Sequence, residues 1–209
     1  GRQNGYKVIQ SKNIYNSKMA RSATALNRAE ELNFMFEDKD IDFIICAAGG
    51  EFAVECLPYI NFDLIKKNPK FFAGFSDPTC ILFPITTKYD IATIYGNNFG
   101  AFGMEKFSRS HYNFLDLITG KKFEFKSYPL YENERQKTVT GLEPYNLKKR
   151  VKWKTLDGKD IKLEGRIIGG CFDLISELMG TKYDGMKEFN ERYKKDGIIW
   201  FFDNCELSM

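Results

Sequence analysis

The sequence predicts an α/β fold, with an open parallel sheet in its N-terminal part and a smaller β-rich domain in its C-terminal part. Up to about residue 120, short apolar runs alternate with segments of helical periodicity, which is typical of a parallel sheet covered by helices. Beyond that point Lys, Tyr and Thr become frequent and strictly alternating runs follow. We therefore place an α/β domain at 1–120, a linker at 121–145 and an incomplete β-rich domain at 146–209.

The first elements form a helix followed by a buried strand. Apolar residues recur at spacings of three and four from Ser22 to Asp38, which predicts a helix with Ser22 as its N-cap. The Ile- and Phe-rich run from Ile41 to Ala48 predicts a buried strand that ends in a tight turn at Gly49–Gly50. A second helix is expected over Glu51–Leu57.

The next strand–turn–helix unit is the most regular part of the sequence. Lys70–Gly74 predicts a strand, Phe75–Pro78 a sharp turn, and Thr79–Thr87 a helix with Pro at or near its first position. A third strand at Ile91–Tyr95 and a helix at Glu105–Thr119 follow. Together these elements predict an open sheet of the flavodoxin-like or Rossmann-like type.

The C-terminal part carries a predicted hairpin. Alternating residues at Arg150–Thr155 and Lys159–Leu163 flank Asp157–Gly158, a favoured two-residue turn. Between residues 148 and 166 there are eight basic and three acidic residues. This excess suits either a nucleic-acid surface or the solvated face of a hairpin, and we favour the solvated face because no nucleic-acid-binding motif accompanies it.

Both ends of the sequence are expected to be truncated. Gly5 followed by Tyr6–Ile9 is typical of a helix C-cap that runs into a strand, and no helix precedes it. The apolar run Ile198–Phe202 predicts a buried strand close to the last residue, Met209. We expect the sequence to be a fragment of a longer protein.

The composition excludes several classes of protein. With 43% apolar and 15% aromatic residues the 209-residue chain is not globally disordered, and its net charge of +3 does not by itself indicate a nucleic-acid partner. No apolar run reaches the roughly 18 residues that span a bilayer. A single His and the lack of any Cys-x-x-Cys pair speak against a structural zinc site. The five cysteines are interpreted as buried free thiols in a reducing compartment, and they are Cys46, Cys56, Cys80, Cys171 and Cys205.

The strongest candidate for chemistry is Ser76, in the segment Gly74-Phe75-Ser76-Asp77. A Ser between a strand and a helix lies at the carboxyl edge of a parallel sheet, where helix N–H groups can stabilise an oxyanion. The segment departs from G-x-S-x-G because Pro78 takes the last position. The alternative is that Ser76 and Asp77 merely cap the following helix.

Two further features have weaker chemical signals. Gly49–Gly50 lets backbone amides approach a ligand closely, although a simple tight turn explains the pair equally well. His111 opens a predicted helix, so a surface or capping role is favoured over that of general base to Ser76.

Blocks throughout the sequence, in the same order, resemble the LD-carboxypeptidase family, which includes the microcin C immunity peptidases. These blocks are Ile44–Gly50, Leu57–Ile60, Asn68–Lys70, Gly74–Thr79, Glu164–Gly170, Leu178–Thr181 and Ile199–Asp203. The resemblance implies a cytoplasmic, homodimeric serine peptidase that uses neither metal nor cofactor. It implies removal of a C-terminal residue at an amide bond, either in murein tetrapeptides during peptidoglycan recycling or in a peptidyl-nucleotide antibiotic. Neither a nucleic acid nor a membrane is implied as a partner.

The resemblance also implies roles for individual residues. Ser76 falls at the nucleophile of a Ser-His-Glu triad, and Gly50 and the N–H of Asp77 fall at the oxyanion hole. Asp203 falls where the family has Glu, and Glu206 is an alternative acid. The family's His lies downstream of the acid, beyond these 209 residues, so this chain alone is expected to be nearly inactive. The alternative function is that of an inactive relative that binds such peptides without cleaving them.

Overall fold

The computed structural model describes residues 5–134 and 137–204, and these form a mixed α/β fold built on parallel strands. Strands β1 (Phe43–Ile45), β2 (Phe71–Gly74) and β3 (Ile94–Tyr95) form one sheet in that order. Both pairings are parallel, with Ile44 opposite Phe72 and Ala73 opposite Ile94. The predicted α/β class and parallel sheet are confirmed, although each strand is shorter than its apolar run.

Helices cover this sheet and connect its strands. The α-helices of the N-terminal part are α1 (Ala25–Glu37), α2 (Phe62–Lys67), α3 (Thr79–Tyr89) and α4 (Arg109–Ile118), and 3₁₀ helices lie at Ala53–Tyr59 and Phe99–Gly103. The segment expected as a helix at Glu51–Leu57 is thus a 3₁₀ helix displaced by two residues. Helix α2 and the 3₁₀ helix at Phe99–Gly103 were not predicted, because both are too short to show a clear apolar period.

The N-cap of α1 corrects the sequence prediction. The side chain of Thr24, not Ser22, accepts a hydrogen bond from the N–H of Asn27 at 3.2 Å. Both residues are suitable caps, and a shift of two residues is within the usual error for helix ends.

The C-terminal part contains an antiparallel and a parallel pair of strands together with helices. Strands β4 (Leu130–Tyr131) and β5 (Lys149–Arg150) form an antiparallel pair, and β6 (Arg166–Cys171) pairs in parallel with β7 (Ile198–Asp203). Between β6 and β7 lie α5 (Phe172–Leu178), which was predicted, and α6 (Met186–Tyr193), which was not.

Two predicted β-elements are not formed. Residues 151–164 contain a turn near Gly158 but no strands, so the predicted hairpin is wrong: Lys149–Arg150 pairs instead with Leu130–Tyr131. Alternation alone did not indicate which segment would be the partner. Residues 6–9 are exposed and are not a strand.

One buried apolar cluster connects the N-terminal and C-terminal parts. It includes Phe36, Phe72 and Phe83 from the first part and Ile168 and Phe189 from the second. Helix α3 is central, because it contacts β2 on one side and β6, α5 and α6 on the other. Tyr95 of β3 and Ile198 of β7 both pack against this cluster. The division at 121–145 stays a prediction. No helix in the two described ranges is both long and apolar enough to cross a bilayer.

Candidate active site

Ser76 lies in a strained turn between β2 and α3. Its φ of 69° is in the left-handed region, which costs a non-glycine residue roughly 1–2 kcal/mol. The strain is held in place by Thr79, whose N–H and Oγ1 donate to the carbonyl oxygen of Ser76 at 2.9 and 2.7 Å. Thr79 Oγ1 in turn accepts from the N–H of Cys171 at 3.1 Å. The turn is therefore fixed from the β6 side as well as by its own helix.

Gly74 makes this turn sterically possible. A Cβ on Gly74 would lie 2.5 Å from Cβ of Pro78 and 3.2 Å from Sγ of Cys46. No side chain fits there unless backbone moves. The path of the chain through Ser76 thus depends on a Gly two residues before it.

The side chain of Asp77 reaches away from α3. Its Oδ2 accepts hydrogen bonds from the N–H groups of Phe52 and Ala53, at 3.1 and 2.9 Å. The N-cap position of α3 is occupied by Pro78 and has no side-chain cap. The capping alternative for Ser76 and Asp77 is therefore wrong. Burial raises the pKa of Asp77, which is only 4% exposed.

Gly49 and Gly50 belong to an irregular loop, not to the predicted tight turn, and this loop lies directly against Ser76. A Cβ on Gly49 would be 3.2 Å from Cβ and 3.5 Å from Oγ of Ser76, and one on Gly50 would be 3.3 Å from Oδ2 of Asp77. Within residues 5–134 and 137–204, the N–H groups of Gly50 and Asp77 donate to no protein acceptor. Gly50 thus lies against Asp77, the second predicted oxyanion-hole residue, which directly follows Ser76 in the turn.

Tyr95 connects the backbone of Ser76 to Asp203. The Tyr95 hydroxyl accepts from the N–H of Ser76 at 3.2 Å and donates to Oδ2 of Asp203 at 2.9 Å. Tyr95 is the last residue of β3 and Asp203 the last residue of β7, so both lie at carboxyl ends of strands. Burial and the contact with Asp203 raise the pKa of Tyr95 and keep its hydroxyl protonated. Glu206 lies outside the described residues.

Sequence reasoning did not identify Tyr95. Its signal was present, because a polar side chain at the carboxyl end of the strand beside the nucleophile strand is a candidate for the site. The expected strand Ile91–Tyr95 ends at this residue, but an aromatic residue in an apolar run carries no separate signal for a hydrogen-bonding role.

His111 is a buried capping residue. Its Nδ1 accepts from the N–H of Ser108 at 3.2 Å, and its Nε2 lies 3.0 Å from the carbonyl oxygen of Ala101. The residue is fully buried and its ring stacks on Phe107. The capping role is confirmed and the surface role is wrong. Since both ring nitrogens are engaged, His111 is not free to act as a base.

The cysteines of the described parts are free thiols. Cys56, Cys80 and Cys171 are buried and Cys46 is partly buried. Burial raises the pKa of Cys46 to about 12, which keeps the thiol neutral and unreactive. Cys205 lies outside the described residues. The parts of the chain that the structure describes contain no cluster of three or more His, Cys, Asp or Glu side chains that could hold a metal.

A parallel sheet with a strained Ser between strand and helix defines the class of α/β proteins that have a nucleophile-type elbow. Residues 2–96 match the family model of the LD-carboxypeptidase N-terminal domain, and the predicted resemblance to the LD-carboxypeptidase family is confirmed.

The chain is also similar to individual proteins whose names fit this family. The chain is 28% identical over 185 residues to the microcin C7 self-immunity protein MccF of Escherichia coli, covering 86% of this chain and 54% of that protein. It is 37% identical over 102 residues to the "Putative carboxypeptidase" of Treponema pallidum, covering 49% of this chain and 30% of that protein. A structure of an MccF mutant in complex with adenosine monophosphate superposes with a TM-score of 0.75 at 24% identity, covering 97% of this chain and 60% of that chain. The chain thus spans little more than half the length of MccF.

Proposed function

We propose that the protein containing this chain is a serine carboxypeptidase that hydrolyses the C-terminal amide bond of a small peptide or peptidyl-nucleotide. The observation that carries the proposal is the strained Ser76, placed by Gly74 at the carboxyl edge of the sheet and linked through Tyr95 to Asp203. The carboxypeptidase names of the relatives favour an enzyme over an inactive binding protein.

In the proposed reaction, Oγ of Ser76 attacks the carbonyl carbon of the scissile amide. A base takes the hydroxyl proton and returns it to the leaving amine, and water then releases the acyl group from Ser76. The base is the His that the family resemblance places downstream of Asp203. The N–H groups of Gly50 and Asp77 stabilise the developing oxyanion. Gly50 lies against Asp77, the residue after Ser76, and neither N–H has a protein acceptor in the described parts of the chain.

The relatives suggest two substrate classes. MccF structures contain adenosine monophosphate, aspartyl sulfamoyl adenosine or glutamyl sulfamoyl guanosine. By analogy, an acidic residue joined to a nucleotide is the first candidate for this protein. A murein tetrapeptide is the second, since a relative in Bacillus subtilis is named as a murein peptide carboxypeptidase.

The test uses the protein in its full natural length. A fluorophosphonate probe should label Ser76, as read by mass spectrometry, and Ser76→Ala should abolish labelling. Incubation with aspartyl sulfamoyl adenosine and with a murein tetrapeptide should release a terminal residue from one of them. Labelling without release from either compound would reject the proposed substrates, and failure to label would reject the serine mechanism.

A further inference from the structure

We propose that Asp77 is a positioning residue: its carboxylate holds the loop that contains Gly49 and Gly50 against Ser76 and so directs the Gly50 N–H into the oxyanion hole. The inference rests on the proposed function, and it adds a role for a side chain where the family resemblance implied only a backbone N–H.

The first observation is that Asp77 caps a helix to which it does not belong. The 3₁₀ helix at Ala53–Tyr59 begins after Phe52, which has no side-chain capping group. The N–H groups of Phe52, the N-cap residue, and of Ala53, the first residue of the helix, donate instead to Asp77, which lies 25 and 24 residues along the chain. A Ser, Thr, Asp or Asn at position 52 would cap the helix locally. Because Asp77 lies next to Ser76, its hydrogen bonds also fix the loop before the 3₁₀ helix to the turn at Ser76.

The second observation is that the position of the loop containing Gly49 and Gly50 depends on hydrogen bonds on either side of it. On one side, the N–H of Cys46 donates to Ala73 O at 2.9 Å, and the N–H of Gly100 donates to Ala47 O, also at 2.9 Å. On the other side, Asp77 accepts from the N–H groups of Phe52 and Ala53, and Nη1 of Arg28 donates to the carbonyl oxygen of Phe52 at 3.1 Å. Between these anchors, the backbone of residues 49–51 makes no hydrogen bond to any other described residue. The position of the Gly50 N–H is therefore set by the two ends of the loop.

The third observation is that the burial of Asp77 carries a free-energy cost. Its Oδ1 is buried and has no partner among the described residues, and the residue is 4% exposed. Burying an unsatisfied polar atom opposes folding, and a cap on a surface loop would avoid that cost. The Asp77 carboxyl joins the turn at Ser76 to the backbone of Phe52 and Ala53, and this connection gives a physical reason for its burial.

The test measures the second-order rate constant for fluorophosphonate labelling of Ser76, together with the urea midpoint of unfolding, in the full-length protein. Asp77→Ala should slow labelling by on the order of 10²-fold, the usual effect of losing one oxyanion donor. Asp77→Asn keeps an acceptor oxygen without the charge, so it should slow labelling by only about tenfold.

Asn61→Ala is the matched control. Asn61 caps α2 by accepting from the N–H of Leu64 at 2.9 Å, so its loss also removes a helix cap. We expect a comparable fall of the urea midpoint and an unchanged labelling rate. If Asp77→Ala behaves as this control does, the role is structural and the proposal is wrong. Should Asp77→Ala fail to fold, an Asp77→Asn protein that labels at the wild-type rate overturns the proposal.

The probe separates this inference from the substrate assignment. The probe reacts with an activated Ser whatever peptide the enzyme cleaves. Labelling of the wild type without peptide cleavage would therefore reject the proposed substrates only. The labelling rates of the Asp77 variants relative to the wild type would still test the role of Asp77. A wild-type Ser76 that does not react overturns both.

Discussion

Two helix starts in this molecule use similar polar residues in opposite ways. At α4, Ser108 and His111 satisfy each other and the local backbone in a complete capping box, in which His111 is buried and Ser108 is half-buried. At α3, Ser76 is strained and Asp77 serves another helix while one of its oxygens has no partner among the described residues. Ser108 and His111 are explained by local stability, whereas Ser76 and Asp77 are not.

This difference separates capping residues from candidate chemical groups. A Ser beside a helix N-terminus is most often a cap, and sequence alone gave both segments that interpretation as an option. Backbone strain and unsatisfied groups persist where the surroundings enforce them, and they concentrate at functional sites. The comparison predicts that substitutions at α3 change reactivity, and that substitutions at α4 change only stability.

The largest expected effect is that of Ser76→Gly. Removing Oγ should lower hydrolysis by roughly 10⁴–10⁶-fold, as for other serine nucleophiles. Because Gly adopts a φ of 69° without strain, Ser76→Gly should also be more stable than Ser76→Ala by about 1 kcal/mol. Urea unfolding of the two variants measures this difference. A Gly variant that is less stable than the Ala variant would show that the turn is not strained.

A smaller effect is expected for Tyr95→Phe. The hydroxyl joins the Ser76 N–H to Asp203, so its loss should slow labelling of Ser76 about tenfold, which corresponds to about 1.4 kcal/mol. Tyr193→Phe is the matched control, since it removes a hydrogen bond from Tyr193 to Asp90 at 2.6 Å on an exposed surface. Its labelling rate should equal that of the wild type. If both variants are labelled at the same rate, the Tyr95 hydroxyl does not contribute to the site.

Much of the sheet could be predicted from the sequence because local signals agreed. The runs before Gly49–Gly50 and before Ser76 are apolar, contain residues that favour strands and end in Gly, so both strands were predicted, and so was the turn at Ser76. The tight turn expected at Gly49–Gly50 is an irregular loop instead. Helices α1 and α3 followed from periodicity and from Pro78. The position of Ser76 between strand and helix was visible in the same way.

The long-range contacts could not be predicted. The pairing of β4 with β5 joins segments about 20 residues apart, and the alternation at 150–163 favoured a local hairpin instead. The contact of Asp77 with Phe52, and that of Tyr95 with Asp203, depend on how the strands stack. Periodicity carries no information about these distances, so the side-chain network of the site required the structure.

The smallest expected effect concerns pH and His111. Burial lowers the pKa of His111 below its ordinary value of 6.5, so the unfolded chain binds the imidazole proton more readily than the folded protein. The stabilising contribution is therefore complete above about pH 6.5 and is lost as the pH falls below it. His111→Asn keeps an acceptor for the Ser108 N–H but does not titrate. The urea midpoint of the wild type should fall more between pH 7 and pH 5 than that of His111→Asn. Equal changes in the two proteins would mean that the folded protein binds the imidazole proton as readily as the unfolded chain does. The contrast between a complete polar cluster at α4 and an incomplete one at α3 would then fail.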